Sequence, residues 1–61
     1  MKKMKKLLDN LKEAIKNYEN CVDVEDVDEF IMLENIQILS RCCREVDKEC
    51  FDIFNKVFYG K

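Results

Sequence analysis

Glycine and proline, the residues that most often interrupt regular structure, are both absent from residues 1–59 of this sequence. The one glycine, Gly60, is the next-to-last residue. A β-rich domain of 61 residues would need several tight turns, and such turns favour Gly, Asn or Pro. We therefore expect long continuous helices, arranged as a single small helical domain that covers residues 1–61.

The first third of the chain has the apolar periodicity of an amphipathic helix. The spacing of its apolar residues predicts one apolar stripe on a helix from about residue 3 to residue 20. The stripe contains Met4, Leu8, Leu11, Ile15, Tyr18 and Val22, and it is flanked by Leu7, Ala14 and Cys21. Polar and charged residues occupy the opposite side, which is typical of a helix that packs on one face only.

An acidic segment, expected to be an elbow at about residues 20–25, follows this helix. Asn20 suits the end of a helix and Asp23 suits the N-cap of the next one. The segment lacks the glycine and the distal glutamate of a calcium-binding loop, so no metal site is predicted there. The acids are interpreted as a helix start, and as a candidate contact for a basic partner: Asp23, Glu25, Asp26, Asp28 and Glu29.

The segment from about residue 26 to residue 59 is expected to form one helix or two helices joined near Ser40. Its first part is apolar on nearly all sides, so a short β-hairpin around Glu34 and Asn35 is an alternative, although that pair makes a poor turn. A regular stripe then follows: Leu39, Cys43, Val46, Cys50, Ile53 and Val57, with Phe51, Phe54 and Phe58 beside it. The predicted fold class is all-α, either a helical hairpin or a three-helix bundle.

Three of the four cysteines lie within residues 42–50. Cys43 and Cys50 would be about 10.5 Å apart along a helix, whereas a disulfide needs Cα atoms within roughly 7 Å. The chain has no histidine and no C-x-x-C pair, which argues against zinc and against an activated thiol nucleophile. We predict that the cysteines are packed as core residues and that Cys42, which lies off the stripe, is the most reactive.

The chain has more apolar surface than 61 residues can bury alone, which predicts self-association into a multi-helix bundle. A first helix of about twenty residues covers only half of a helix that runs to residue 59. A homodimer is the simplest way to cover the remainder. The predicted interaction surface consists of Phe30, Ile31, Ile38, Phe51, Phe54, Phe58 and Tyr59.

The net charge of −2 conceals a division along the chain. Residues 1–20 carry a net +3, residues 21–40 a net −6 and residues 41–61 a net +1. General attraction to nucleic acid or to a membrane is therefore not expected. Because no uninterrupted apolar segment follows the first lysines, neither a signal peptide nor a membrane span is predicted, and the expected location is the cytoplasm.

These features predict a small non-enzymatic regulatory or adaptor protein, such as an inhibitor or a mobile-element factor. Its expected partners are a second copy of itself and another protein, with no cofactor and no metal. A first alternative is a dimeric nucleic-acid-binding protein that uses the lysine face of the first helix: Lys2, Lys3, Lys5 and Lys6. A second alternative is a thiol or metal-binding protein that uses Cys42, Cys43 and Cys50. An enzyme is not expected, because the chain lacks histidine and any paired catalytic groups.

Overall fold

A computed structural model describes residues 2–60, which form two antiparallel α-helices joined by a short loop. Helix α1 comprises Lys2–Val22 and helix α2 comprises Glu29–Tyr59. The resulting helical hairpin is long and flat, with extents of 54 × 16 × 11 Å. The all-α prediction and its hairpin form are confirmed.

Helix α2 is one continuous helix of 31 residues. It passes without a break through Glu34, Asn35 and Ser40, so the three-helix and β-hairpin alternatives are both wrong. The side-chain amide of Asn35 donates a hydrogen bond of 2.8 Å to the carbonyl oxygen of Ile31, one turn earlier. The residues proposed for a turn therefore lie within the helix.

The loop between the helices, residues 23–28, differs from the predicted elbow in position and in its cap. The backbone N–H of Asp23 donates to the carbonyl of Glu19 at 2.9 Å, so Asp23 completes the last turn of α1. The N-cap of α2 is instead Asp28, whose carboxylate accepts hydrogen bonds from the N–H groups of Phe30 (3.0 Å) and Ile31 (3.3 Å). Asp28 has the extended backbone that an N-cap requires.

The C-terminal end of α2 agrees with the sequence pattern. The helix ends at Tyr59, and the backbone N–H of Gly60 donates to the carbonyl of Lys56 at 3.2 Å. Lys56 lies in the last turn, where the helix dipole favours a cation. The prediction that Gly60 terminates the helix is therefore confirmed.

Each helix contributes an inner face whose side chains are buried or half-buried between the two helices. The positions are spaced alternately by three and four residues, as in the a and d positions of a coiled coil. On α1 they are Met4, Leu7, Leu11, Ala14, Tyr18 and Cys21, and on α2 they are Met32, Asn35, Leu39, Cys42, Val46, Glu49 and Ile53. Among residues 2–60 only Ala14, at 4% exposure, is buried, so the hairpin has very little core of its own.

Two contacts between the helices define their register. The thiol of Cys42 lies 3.9 Å from the carbonyl oxygen of Asn10, and the Nζ atom of Lys3 lies 4.0 Å from Oε1 of Glu49. The beginning of α1 is therefore level with residue 50 of α2. The last nine residues of α2, Phe51–Tyr59, continue beyond α1 for about 13 Å, and we call them the C-terminal extension.

Candidate interaction surfaces

One broad side of the hairpin is lined by apolar residues from both helices. All but Val57 directly follow an inner-face position, and in an antiparallel pair such positions flank the same side of the interface; Val57 continues the seven-residue spacing of Ile36, Cys43 and Cys50. We call this side the apolar face: Leu8, Ile15 and Val22 of α1, with Ile36, Cys43, Cys50 and Val57 of α2. Apart from the half-buried Val22 its members are exposed, among them Leu8 at 39% and Val57 at 61%.

The opposite broad side of the hairpin is mostly polar. Asn10 and Asn17 of α1 line a shallow groove there, together with Arg41 and Glu45 of α2. A second groove nearer the start of α1 is lined by Lys3, Leu7, Glu45, Lys48, Glu49 and Asp52. The two broad sides therefore differ sharply in character, and the apolar one resembles a surface that another helix covers.

The structure reverses the predicted placement of the cysteines along α2. Cys43 and Cys50, expected in the core, are exposed on the apolar face. Cys42, expected off the stripe and reactive, is half-buried against α1. The reason is a rotation of the helix by less than half of the 100° step between residues, roughly 40°, which turns Cys42 and Glu49 inward in place of Cys43 and Cys50.

The C-terminal extension continues the apolar face beyond the N-terminal end of α1. The rings of Phe54 and Phe58 stack with centroids 5.3 Å apart, and Phe58 meets Tyr59 edge-on at 4.9 Å. At 100° per residue, Phe54 lies on the same side of α2 as Cys50 and Val57. Phe51, Phe54, Phe58 and Tyr59 are all exposed, since no part of α1 reaches them.

The remaining members of the predicted interaction surface lie near the loop. Phe30 is 82% exposed, and Ile31 and Ile38 are about half exposed. Ile38 borders the groove on the polar side. None of the three directly follows an inner-face position, so they do not belong to the apolar face. All seven residues proposed from the sequence are exposed, but the structure distributes them over the extension, the loop end and the polar side.

Charge is segregated along the hairpin. Residues 17–40, which form the half next to the loop, contain seven acids and no lysine or arginine. The rest of the sequence has eleven cations and six acids, a net +5, and its residues 2–16 and 41–60 form the open half. The five candidate acidic contacts, residues Asp23, Glu25, Asp26, Asp28 and Glu29, are exposed in the first half, and Lys2, Lys3, Lys5 and Lys6 are exposed in the second.

Within residues 2–60 no three or more Cys, Asp or Glu side chains are grouped so that they could hold a metal ion. Over the same residues, neither helix has a stretch apolar enough, over a sufficient length, to cross a bilayer. Comparison with protein-family models, curated proteins and solved structures gives no match to this chain. The interaction surfaces are therefore the features on which a functional hypothesis depends.

Proposed function

We propose that this chain is a small non-enzymatic regulatory or adaptor protein that acts through helix-mediated protein–protein contacts. In this proposal its apolar face binds a second copy of the chain, which produces a homodimeric multi-helix bundle. The observation that supports the proposal is the amount of surface that the single hairpin leaves exposed.

The accessible surface of the hairpin is 5438 Å². A compact monomer of 7.3 kDa would expose roughly 4,200 Å². The difference exceeds the ~800 Å² that each partner contributes to a typical stable interface. A partner that covered one broad side would therefore remove roughly two thirds of this excess.

The apolar face has suitable dimensions for such an interface. Its outline, 54 by 16 Å, is roughly 860 Å² and close to the contribution of one partner in a stable complex. A second copy presents the same flat apolar side, and a twofold axis brings two identical patches together. Two hairpins stacked in this way make a four-helix arrangement with a shared core.

The regulatory part of the proposal depends on the surfaces that dimerisation leaves free. The polar broad side and the acidic loop stay accessible on both copies, and the loop offers a concentrated negative charge to a basic protein partner. A small dimer with two accessible acidic loops is suited to binding such a partner, as an inhibitor or adaptor does.

Sedimentation equilibrium of two matched variants tests the use of the apolar face. Leu8→Asp and Asn10→Asp each add one negative charge to an exposed position of α1, on the apolar and the polar side respectively. We expect the parent chain and Asn10→Asp to sediment at twice 7.3 kDa and Leu8→Asp to sediment as a monomer with its helices retained. A parent chain that stays monomeric at its highest soluble concentration would contradict the proposal.

A second candidate function is nucleic-acid binding by the lysine face of α1. It is favoured by the net +5 charge of the sequence outside residues 17–40 and by the exposure of all four lysines. If it holds, retention on heparin falls steeply with salt and disappears when Lys2, Lys3, Lys5 and Lys6 are changed to Gln. Absence of retention at low salt would eliminate this candidate.

A further inference from the structure

We infer that two chains pair through their apolar faces with their loops at opposite ends, so that α2 of one chain lies antiparallel along α2 of its partner. This inference rests on the proposed self-association. It goes further by assigning the relative direction of the two chains and the residues that meet at the twofold axis. Two directions are compatible with twofold symmetry, and the charge, shape and register of the hairpin all distinguish between them.

Charge favours loops at opposite ends. The loop half of each hairpin carries −7 and the rest of the sequence +5. With both loops at the same end, the two acidic halves, each with a net charge of −7, would lie against each other. With the loops at opposite ends, each acidic half lies against the basic half of its partner, and the charges are complementary along the whole face.

The length of α2 favours the same direction. A twofold axis parallel to the helices puts both loops at the same end and stacks α2 on the partner's α1. Because α1 begins level with residue 50, the C-terminal extension is then left uncovered. A twofold axis that crosses the face perpendicular to the helices puts the loops at opposite ends and stacks α2 on the partner's α2 instead. The extension then comes level with residues 29–37 of the partner, where Leu33 and Ile36 are exposed. Phe51 and Phe54 would pack against these two side chains.

The register places one cysteine at the axis. Full overlap of two antiparallel α2 helices puts the axis at the midpoint of Glu29–Tyr59, which is residue 44. The nearest member of the apolar face on this helix is Cys43, so each Cys43 lies beside the partner's Cys43. Cys50 is six residues from the axis, which separates the two Cys50 positions by about 18 Å along the helices. Leu8 of α1 is level with residue 44 and likewise meets its own counterpart.

Cross-linking of the natural thiols tests this arrangement. The probe is a short bifunctional maleimide, each ring of which adds one thiol, so no disulfide geometry is required. We expect a covalent dimer whose peptide map joins Cys43 to Cys43, which is lost in Cys43→Ser and kept in the matched variant Cys50→Ser. In the Leu8→Asp variant, which we expect to be monomeric, cross-linking should be lost as well.

A new thiol distinguishes the two directions without relying on Cys43. In the double variant Leu8→Cys, Cys43→Ser, loops at opposite ends predict a link between the two copies of position 8. In the single variant Leu8→Cys, loops at the same end predict a covalent dimer joined from position 8 to the partner's Cys43, with no link between like positions. Such a dimer, or a parent dimer in which Cys43 never joins Cys43, would overturn the inferred direction and leave self-association standing. A parent chain that sediments as a monomer would overturn both.

Discussion

Asp28 is the residue whose replacement most directly tests the local structure of the hairpin. Its carboxylate accepts two backbone hydrogen bonds at the start of α2, from Phe30 and Ile31. Loss of such an N-cap to alanine costs about 1 kcal/mol, within a range of roughly 0.5–2 kcal/mol. For a chain of this size, about 1 kcal/mol corresponds to a decrease in Tm of roughly 4–8 °C. We expect that decrease for Asp28→Ala.

Two control variants separate the cap from the charge. Asp28→Asn keeps a capping oxygen and removes only the interaction of the charge with the helix dipole, about 0.3–1 kcal/mol. Asp26→Ala removes an exposed acid from the same loop, which also reduces repulsion among the seven acids of the loop half. We therefore expect Asp26→Ala to be as stable as the parent chain or slightly more stable, Asp28→Asn to be somewhat less stable, and Asp28→Ala to be the least stable.

The assay is thermal unfolding followed by far-ultraviolet circular dichroism. All four chains must be compared at one protein concentration, because self-association makes Tm depend on concentration. If Asp28→Ala unfolds at the same temperature as Asp26→Ala, the cap at Asp28 does not contribute to stability and the assigned start of α2 is wrong. If Asp28→Asn and Asp28→Ala are equally destabilised, charge rather than hydrogen bonding is responsible.

Three further predictions concern the contact between the helices. Ala14→Leu places a larger side chain at the one buried position of residues 2–60 and should lower stability by about 1–3 kcal/mol, whereas Lys16→Leu at an exposed position should not. Equal Tm values for the two variants would contradict this. Glu49→Gln should change the free energy of unfolding by less than about 1 kcal/mol, since the 4.0 Å ion pair involves a Lys3 side chain that is 73% exposed. A larger decrease in the free energy of unfolding, measured by chemical denaturation, would show that the pair is stronger. In the Leu8→Asp variant, Cys43 and Cys50 should be alkylated faster than Cys21 and Cys42 by mass spectrometry, and uniform rates would refute the packing of Cys42 against α1.

The helical content of the chain and the extent of its first helix could be predicted because the signals for them are local, whereas the choice between a hairpin and a three-helix bundle stayed open. The periodicity of apolar residues and the absence of glycine and proline before Gly60 are properties of neighbouring positions, and they persist in the folded chain. The exposure of Phe51, Phe54 and Phe58 could also be predicted, because a first helix of about twenty residues is too short to cover them.

The side of α2 that faces α1 could not be predicted from the sequence. The stripe through Cys43 and Cys50 is entirely apolar, whereas the inner face of the folded helix includes the polar residues Asn35 and Glu49. Hydrophobicity alone therefore favours the wrong stripe. Both stripes share Leu39, Val46 and Ile53, so a small rotation of α2 exchanges one for the other. This rotation decides whether Cys42 or Cys43 faces α1, which is why the predicted placement of both cysteines was wrong.

The N-cap of α2 was mispredicted for a different reason. Acids crowd the loop, and Asp23 and Asp28 are equally good caps by residue type. The outcome depends on where α1 ends, and the hydrogen bond from Asp23 to Glu19 assigns Asp23 to the first helix. The last turn of α1 therefore decides which of the two aspartates is the N-cap. Residue preferences for cap positions cannot predict that outcome.

The stretch from Asn17 to Ser40 without a lysine or arginine also determines how this protein is processed and modified. Trypsin, which cuts after basic residues, cannot cleave the turn of the hairpin and releases it whole in a peptide that ends at Arg41. Acetyl or ubiquitin groups attached to lysine side chains are confined to the opposite part of the molecule. A protease that cuts after glutamate would instead find four sites in this stretch, after Glu19, Glu25, Glu29 and Glu34.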